Sequence, residues 1–359
     1  RLFARSEINM GVDAFRDSLY AMLKRNTFLN IKFENMLDTL GEMSRTDLYS
    51  YLKEWEQLTP LPFYSIGEPE LTKVVNKGGE EFFVLKVLVS NNSDYDGIIQ
   101  MNVLQNGWWY QPMEDPRARK KVEIAAHTSK EFVSVWEEQI RDVEINTMVS
   151  GNLPYMIRQS IGNVKQERNK IVKDTIYTLP ESSLEMPGEV IVDNEDSTLF
   201  VLSTPAVVGL LPKWLDKVED TSFKYSGISW WRAPLQWTAT TNAKYYGKYI
   251  RSAYVIKSGD GSQTATWKIP VPEAGQYELY YHVFKDDELR WNDRLQGEYH
   301  FRVAYDSEME DAYINLRKAN EGWEQLGTYY FSADTVRVVL TDECKLRSVT
   351  ADAVKIVKR

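Results

Sequence analysis

At 359 residues the chain is too long for one ordinary hydrophobic core, and with 43% hydrophobic residues it should fold into two or three domains. The formal net charge of −9 disfavours a polyanionic partner. The one dense basic run, Arg117 to Lys121, is typical of a solvated loop, so we expect no nucleic-acid partner. No apolar stretch approaches the roughly 18 residues needed to cross a bilayer, so no transmembrane segment is expected.

Residues 1–66 have the periodicity of α-helices. Apolar residues recur at three- and four-residue steps, and Ser44 with Asp47 forms a capping-box arrangement before a further apolar series. Prolines at 60 and 62 then end helix formation. We predict a short helical segment that must bury its apolar face against another part of the protein.

Residues 67–185 change to a period of two. Two predicted strands flank turn-forming residues at 90–97, and further strand-like runs and a connector follow. This pattern predicts an immunoglobulin-like β-sandwich. The residues expected on its inner face include Phe83, Leu85, Val87, Val89, Ile99, Met101 and Val103.

Residues 186–359 show the clearest alternation in the chain. Short strands separated by Gly, Pro and Asp turns predict a second β-sandwich of the jelly-roll type. The fold class is therefore mainly β, with a short helical segment at the start. The residues predicted to face the second core are Ala265, Trp267, Ile269, Tyr277, Leu279, Tyr281, Val283, Tyr299, Phe301, Val303, Tyr305, Val336, Val338 and Leu340.

Four motifs of this last segment resemble the golvesin C-terminal-like domain, also described as the xanthan lyase carbohydrate-binding-like module. They are YYGKYIRSAY at 245–254, TATWKIPVPEAGQYELYYHV at 264–283, EGWEQLGTYYF at 321–331 and VTADAVKIVK at 349–358. The resemblance implies a β-sandwich accessory domain of secreted or surface bacterial proteins, for which polysaccharide binding has been proposed. Two departures from the family pattern are an apparent insertion at 204–227 and an acidic excursion at 285–298.

Aromatic residues of this segment could serve the core or a sugar platform. In EGWEQLGTYYF, Gly322 and Gly327 are expected to bracket a turn whose rings, Trp323 among them, plug the end of the sandwich. The segment ISWWRAPLQW at 228–237 is the better candidate for a ligand site. Its adjacent tryptophans must point to opposite faces of an extended chain.

The ligand-binding candidates are three tryptophans and one arginine. A sugar site needs exposed rings with polar groups beside them, because pyranose faces stack on aromatic faces. The alternative is a structural role, in which these rings pack the insertion onto the sandwich. The candidates are Trp230, Trp231, Arg232 and Trp291, the last in the acidic loop.

Two aspartates form the metal hypothesis. Asp193 and Asp352 are expected on the first and last strands of the sandwich, which related jelly-rolls place side by side. Such a pair could ligate a structural calcium ion. The alternative is that each carboxylate bonds backbone amides or a nearby arginine, which leaves the chain without a cofactor.

The N-terminal helices resemble the tail of gluzincin-type zinc aminopeptidases, in the stretch LGEMSRTDLYSYLKEWEQLTPLPFYSI at 40–66. That family needs an H-E-x-x-H helix to bind zinc, and none of the chain's three histidines lies in such a motif. We therefore expect no enzyme activity in this chain and place any peptidase core upstream of residue 1.

Three functional hypotheses remain at this point. The first is a non-catalytic C-terminal accessory region of a larger exported bacterial protein, whose last domain binds carbohydrate or a surface polymer outside the cytoplasm. The second is a purely structural role, in which the β-domains pack on an upstream domain and bind no ligand. The third is a hydrolase that uses the acidic loops as its paired carboxylates.

Overall fold

The computed structural model describes residues 2–56, 60–105, 115–161, 164–168, 172–181, 188–203, 223–228, 232–285 and 297–359. The predicted mainly β class is confirmed, and within these described ranges the helices lie in the first 60 residues apart from one short 3₁₀ turn at Pro116–Ala118. Among the described residues, no helix is long and apolar enough to span a membrane. The chain divides into two compact units, Arg1–Leu184 and Glu185–Arg359. The three-way division at residues 66 and 185 stays a prediction.

Four helices open the first unit: α1 (Leu2–Met10), α2 (Val12–Arg25), α3 (Phe33–Ser44) and α4 (Leu48–Glu56). They share a small core that includes Phe15, Leu37 and Leu48. The predicted capping box is displaced by three residues: α4 begins at Leu48, and Asp47 Oδ1 accepts the Ser50 backbone N–H at 2.9 Å. Asp47 therefore occupies the N-cap position, where its carboxylate satisfies an otherwise unpaired amide.

The basic run predicted as a solvated loop is partly strand. Residues from Arg119 onward form the strand β5, and Lys121 Nζ makes an ion pair with Glu7 of α1. Arg5 of the same helix pairs with Glu123 of β5 at 2.5 Å. These two ion pairs join the helical segment to the sheet that follows it in the chain.

After the helices, the described residues of the first unit form two sheets. Strand order in one is β10-β6-β3-β2-β9, with β1 also pairing β3, and in the other it is β5-β4-β7-β8. A single core combines Val87 and Phe132 of the first sheet with Met101 and Val143 of the second, so the sheets pack face to face. The strands are β1 (Tyr64–Ile66), β2 (Glu70–Val75), β3 (Glu81–Asn91), β4 (Gly97–Gln105), β5 (Arg119–Ile124), β6 (Thr128–Trp136), β7 (Ile140–Asn146), β8 (Met156–Ser160), β9 (Val164–Arg168) and β10 (Thr175–Pro180).

The second unit has three sheets in the part of it that the structure describes. A four-stranded sheet has the order β11-β22-β16-β19, a five-stranded sheet the order β12-β15-β20-β17-β18, and a small sheet the order β13-β14-β21. The strands are β11 (Glu189–Val192), β12 (Phe200–Leu202), β13 (Thr238–Thr241), β14 (Ser252–Lys257), β15 (Thr264–Pro270), β16 (Gly275–Val283), β17 (Glu298–Tyr305), β18 (Glu308–Asn315), β19 (Gly322–Phe331), β20 (Thr335–Thr341), β21 (Ser348–Ala351) and β22 (Val354–Lys358).

One aromatic-rich core joins the four- and five-stranded sheets. Tyr281 of the first sheet lies 4.9 Å from Phe301 of the second, measured between ring centroids, and 6.0 Å from Trp267. The inner-face residues predicted for this segment all belong to the core or pack against it. Because side chains alternate along a strand, residues of opposite parity in these strands lie on the two outer faces of the sandwich.

We expect Phe301→Ala to lower the free energy of unfolding of the second unit by about 3–5 kcal/mol, because Phe301 is fully buried and its removal leaves a cavity. Tyr330→Ala is the matched control, since Tyr330 is 65% exposed and its loss should change the free energy by about 0.5 kcal/mol or less. Urea denaturation followed by tryptophan fluorescence measures both. Equal effects of the two substitutions would contradict the described core.

Candidate functional site

Most of the predicted ring platform lies outside the described residues. This is the case for Trp230, Trp231 and Trp291. Arg232 is described, and its side chain is exposed. The predicted insertion and the acidic excursion also fall largely outside the described ranges, so the platform stays a prediction.

The structure brings Asp193 and Asp352 together at one end of the four-stranded sheet. Val192, the last residue of β11, pairs with Val354, the first residue of β22. Asp193 directly follows the first of these strands and Asp352 lies two residues before the second. The two carboxylates are close enough for the charge of Asp352 to raise the pKa of Asp193.

The carboxylate of Asp352 is completely buried and accepts hydrogen bonds from nitrogen donors. The backbone N–H of Tyr246 lies 3.2 Å from each of its oxygens, and His282 Nδ1 lies 2.8 Å from Oδ2. Its own backbone carbonyl accepts the indole N–H of Trp267 at 3.2 Å. The alternative to a metal site predicted that backbone amides bond this carboxylate. The structure has such an amide, that of Tyr246, and adds the imidazole of His282.

Calcium binding needs six to eight oxygen ligands around the ion. The oxygens of Asp352 instead face N–H groups, and Asp193 Oδ1 accepts the Asn194 backbone N–H at 2.7 Å. Among the described residues, no group of three or more His, Cys, Asp or Glu side chains is placed to hold a metal ion. The described residues at this end of the sheet therefore do not fit a calcium site.

Burial raises the pKa of both aspartates. For Asp193 the loss of hydration is the largest cause, and the neighbouring charges of Asp352 and Glu195 add to it. For Asp352 burial is again the largest cause, partly offset by His282 and by the charge of Arg251. A carboxyl group in this setting holds its proton more strongly than it does in the unfolded chain.

Glu195 lies beside this pair in a well-connected network. Its carboxylate accepts hydrogen bonds from the hydroxyls of Tyr225, at 3.0 Å, and Ser252, and it pairs with Lys224. Burial and the contact with Glu195 raise the pKa of Tyr225 to about 12. Tyr225 therefore stays protonated and acts as a hydrogen-bond donor at neutral pH.

A β-bulge in β19 decides where Trp323 lies. Leu279 of β16 pairs with Gly327, but the next residue of β16, Tyr280, pairs with Gln325, so Leu326 is an extra residue. Tyr329 and Phe331 consequently face the core as predicted, whereas Trp323 pairs with His282 on the outer face. The predicted turn between Gly322 and Gly327 is also wrong, because both residues lie within β19.

Four aromatic rings gather on this outer face, and we call Tyr246, Tyr280, His282 and Trp323 the ring patch. The centroid of Trp323 lies 5.0 Å from Tyr246 and 5.1 Å from His282, with interplanar angles of 58° and 79°. All four side chains are half-buried. Each of these side chains therefore keeps part of its surface open to solvent.

A lysine completes the ring patch. Lys355 Nζ lies 4.9 Å from the ring centroid of Trp323 and 5.4 Å from that of Tyr280, which are cation–π distances. The same ammonium group pairs with Glu189 at 3.0 Å. Rings beside polar groups of this kind suit a ligand with one apolar face and several hydroxyl groups.

The sequence offered different information about each member of the patch. Strand β16 predicts Tyr280 and His282 on the outer face, since they alternate with the core residues Tyr281 and Val283. For Trp323 the sequence predicted a place at the base of a turn that plugs the end of the sandwich, because the bulge leaves no local signal in the sequence. No pattern in the sequence predicts the position of Tyr246, which the structure fixes through the hydrogen bond of its backbone N–H to Asp352.

Comparison with protein families confirms the golvesin resemblance. The Golvesin C-terminal domain family matches residues 230–358, which include β13 to β22 and every member of the ring patch. The comparisons do not show the gluzincin resemblance of the N-terminal helices. No curated protein matches the chain.

Solved structures with similarity to this chain include enzymes that are much longer. A xanthan lyase from Paenibacillus is 18% identical, with 84% of this chain and 27% of that chain covered and a TM-score of 0.34. A β-glucuronidase from Bacteroides uniformis is 12% identical, with 88% and 32% covered and a TM-score of 0.24. This chain thus spans about a third or less of the length of these structures.

We expect Asp193→Asn to raise the melting temperature at about pH 7.5, with a gain that shrinks as the pH falls to about 4. The pKa of Asp193 is raised in the folded state, so its stabilising contribution is present at low pH and is lost as the pH rises through the folded pKa. Asparagine keeps the oxygen that accepts the Asn194 N–H and removes the charge. Asp38→Asn, an exposed helical control, should show no such pH dependence. A lower melting temperature for Asp193→Asn at neutral pH would contradict the charge argument.

We also expect the melting temperature of the full chain to be the same in excess calcium and in excess EDTA. The reason is that N–H donors already satisfy Asp352, as described above. Differential scanning fluorimetry measures this, with magnesium as the control for ionic strength. A clear rise in calcium alone, abolished in Asp193→Asn, would restore the calcium hypothesis.

Proposed function

We propose that this chain is a non-catalytic accessory region of a larger exported bacterial protein and that its last domain binds carbohydrate. The observation that carries the proposal is the ring patch on the outer face of β16, β19 and β22. It combines half-buried aromatic rings with a lysine and a histidine, and it lies inside the segment that matches the golvesin family.

The ring patch has the properties that sugar recognition requires. The apolar face of a pyranose stacks on an aromatic ring, and its hydroxyl groups take hydrogen bonds from neighbouring polar side chains. Trp323 offers the largest ring, and the Lys355 ammonium and the His282 imidazole stand beside it. Packing against His282 and Tyr246 holds the indole in one orientation, which lowers the entropy lost on binding.

The architecture proposed for the two units follows their strand orders. In the first unit β2-β3-β6 faces β5-β4-β7-β8, which supports an immunoglobulin-like sandwich over residues 67–185. In the second, the four- and five-stranded sheets around one core support a jelly-roll-like sandwich over residues 186–359. Residues 1–66 form the proposed tail of a preceding domain, for which the sequence resemblance favours a peptidase.

The test is binding of the full chain to a broad array of neutral and charged glycans. We expect binding to one glycan class, and we expect Trp323→Ala to weaken it at least about tenfold, as is typical of a central aromatic contact. Tyr246→Ala should have a smaller effect in the same direction. Trp230→Ala, Trp231→Ala and Trp291→Ala test the platform predicted from the sequence.

Tyr330→Ala is the matched control, because Tyr330 is an exposed ring of the same strand about 20 Å from Trp323. It should leave the affinity unchanged. Thermal unfolding of each variant separates lost binding from lost folding. If the array detects no ligand for the folded chain, the purely structural hypothesis replaces this proposal.

A further inference from the structure

Three basic residues form a row on the outer face of the five-stranded sheet, and we call Lys268, Arg337 and Arg302 the cation row. Lys268 of β15 pairs directly with Arg337 of β20. Arg337 in turn pairs with Ala304 of β17, two residues from Arg302. Directly paired residues are about 5 Å apart and diagonal ones about 7–8 Å, so each of the three basic residues neighbours the next across the sheet.

The cation row has no bonded acidic partner among the residues that the structure describes. The side chains of these three residues have no ion pair or hydrogen bond with any other group in the described ranges, and the buried Arg302 Nε is without an acceptor. Burying an unpaired guanidinium nitrogen costs free energy. A group that supplies an acceptor from outside the chain would recover this cost.

Basic residues on the opposite face of the same sandwich, the outer face of the four-stranded sheet, do have acidic partners. There Lys355 and Arg359 each pair with a glutamate, at 3.0 and 2.8 Å. The chain has 52 acidic residues and 43 basic ones, so carboxylates are plentiful. The unpaired cations are therefore a local property of the five-stranded sheet.

An exposed aromatic pair stands beside the cation row. Tyr313 of β18 is 55% exposed and stacks on His300 of β17, with centroids 4.9 Å apart and an interplanar angle of 9°. The two nearby carboxylates, Asp311 and Glu343, both bond the ring nitrogens of His300, at 2.8 and 3.3 Å. They hold that ring in place and are directed at it, although Asp311 pairs in register with Arg302.

We propose that this outer face binds a polysaccharide that carries carboxylate groups, a polyuronate. Guanidinium groups bind carboxylates through paired hydrogen bonds, and the ammonium of Lys268 adds a third positive charge. The outer face of Tyr313 is available for a sugar ring. A row of charges about 5–8 Å apart suits one charge for each sugar better than duplex DNA, which has one charge for each 1.7 Å or so.

This binding surface is separate from the ring patch and does not depend on it. The ring patch and the cation row lie on opposite faces of one sandwich, on the four- and five-stranded sheets. Trp323→Ala should therefore leave polyuronate binding intact. Equally, removal of the cation row should leave binding of a neutral glycan intact, so that either proposal can fail without the other.

The first experiment compares two ligands with the full chain. Polygalacturonate and its fully methyl-esterified form share a sugar backbone and differ in charge. We expect calorimetry or affinity electrophoresis to detect binding of the acid form only, weakened at high salt because the contacts are screened. Equal binding of the two forms, or tighter binding of single-stranded DNA than of polygalacturonate, would overturn the proposal.

The second experiment removes the cation row. The triple variant Lys268→Gln, Arg337→Gln and Arg302→Gln should bind polygalacturonate about tenfold or more weakly, since each exposed charge pair contributes a modest amount. The matched control changes the same number of charges elsewhere, with Lys32→Gln, Lys77→Gln and Lys257→Gln. Tyr313→Ala should also weaken binding. If the folded triple variant binds polygalacturonate with an affinity within about twofold of that of the control, the polyuronate proposal is wrong.

Discussion

The geometry of the ring patch depends on the buried carboxylate of Asp352. A carboxylate without water is stable only if hydrogen-bond donors surround it, which fixes the donors as firmly as the acceptor. Here the donors are the backbone N–H of Tyr246 and the ring of His282. The backbone carbonyl of Asp352 also accepts the indole N–H of the core residue Trp267. One residue thus ties the loop before β14, the end of β16 and the aromatic core to each other.

The ionised carboxylate of Asp193 lowers the stability of this arrangement at neutral pH. Its charge stands beside that of Asp352, and burial raises the pKa of both groups. A fold retains such a pair at a cost in stability, and positions of this kind are common at functional sites. The ring patch lies close by: His282 bonds Asp352 directly, and Lys355, three residues after Asp352, lies over the ring of Trp323.

Much of the second sandwich could be predicted from the sequence because inner-face residues alternate strictly. Tyr277, Tyr281 and Phe301 are all buried as expected. The position of Trp323 could not be predicted, since a bulge reverses the alternation and depends on which residue of β16 each residue of β19 meets. The same limit applies to the cation row: Lys268, Arg337 and Arg302 lie on three strands, and only the strand order makes them neighbours.

The basic residues on the two outer faces of this sandwich differ in their pairing, and the two binding proposals rest on this difference. On the four-stranded sheet glutamates neutralise the basic residues, so the rings there can select a ligand by shape and apolar contact. On the five-stranded sheet the cation row makes no ion pair with any described residue, and at physiological salt its field extends only about 8 Å. The net charge of −9 therefore does not cancel the local attraction at close range. Under the two proposals, a neutral and an acidic polysaccharide would therefore bind different faces, and the charge of the ligand would decide between them.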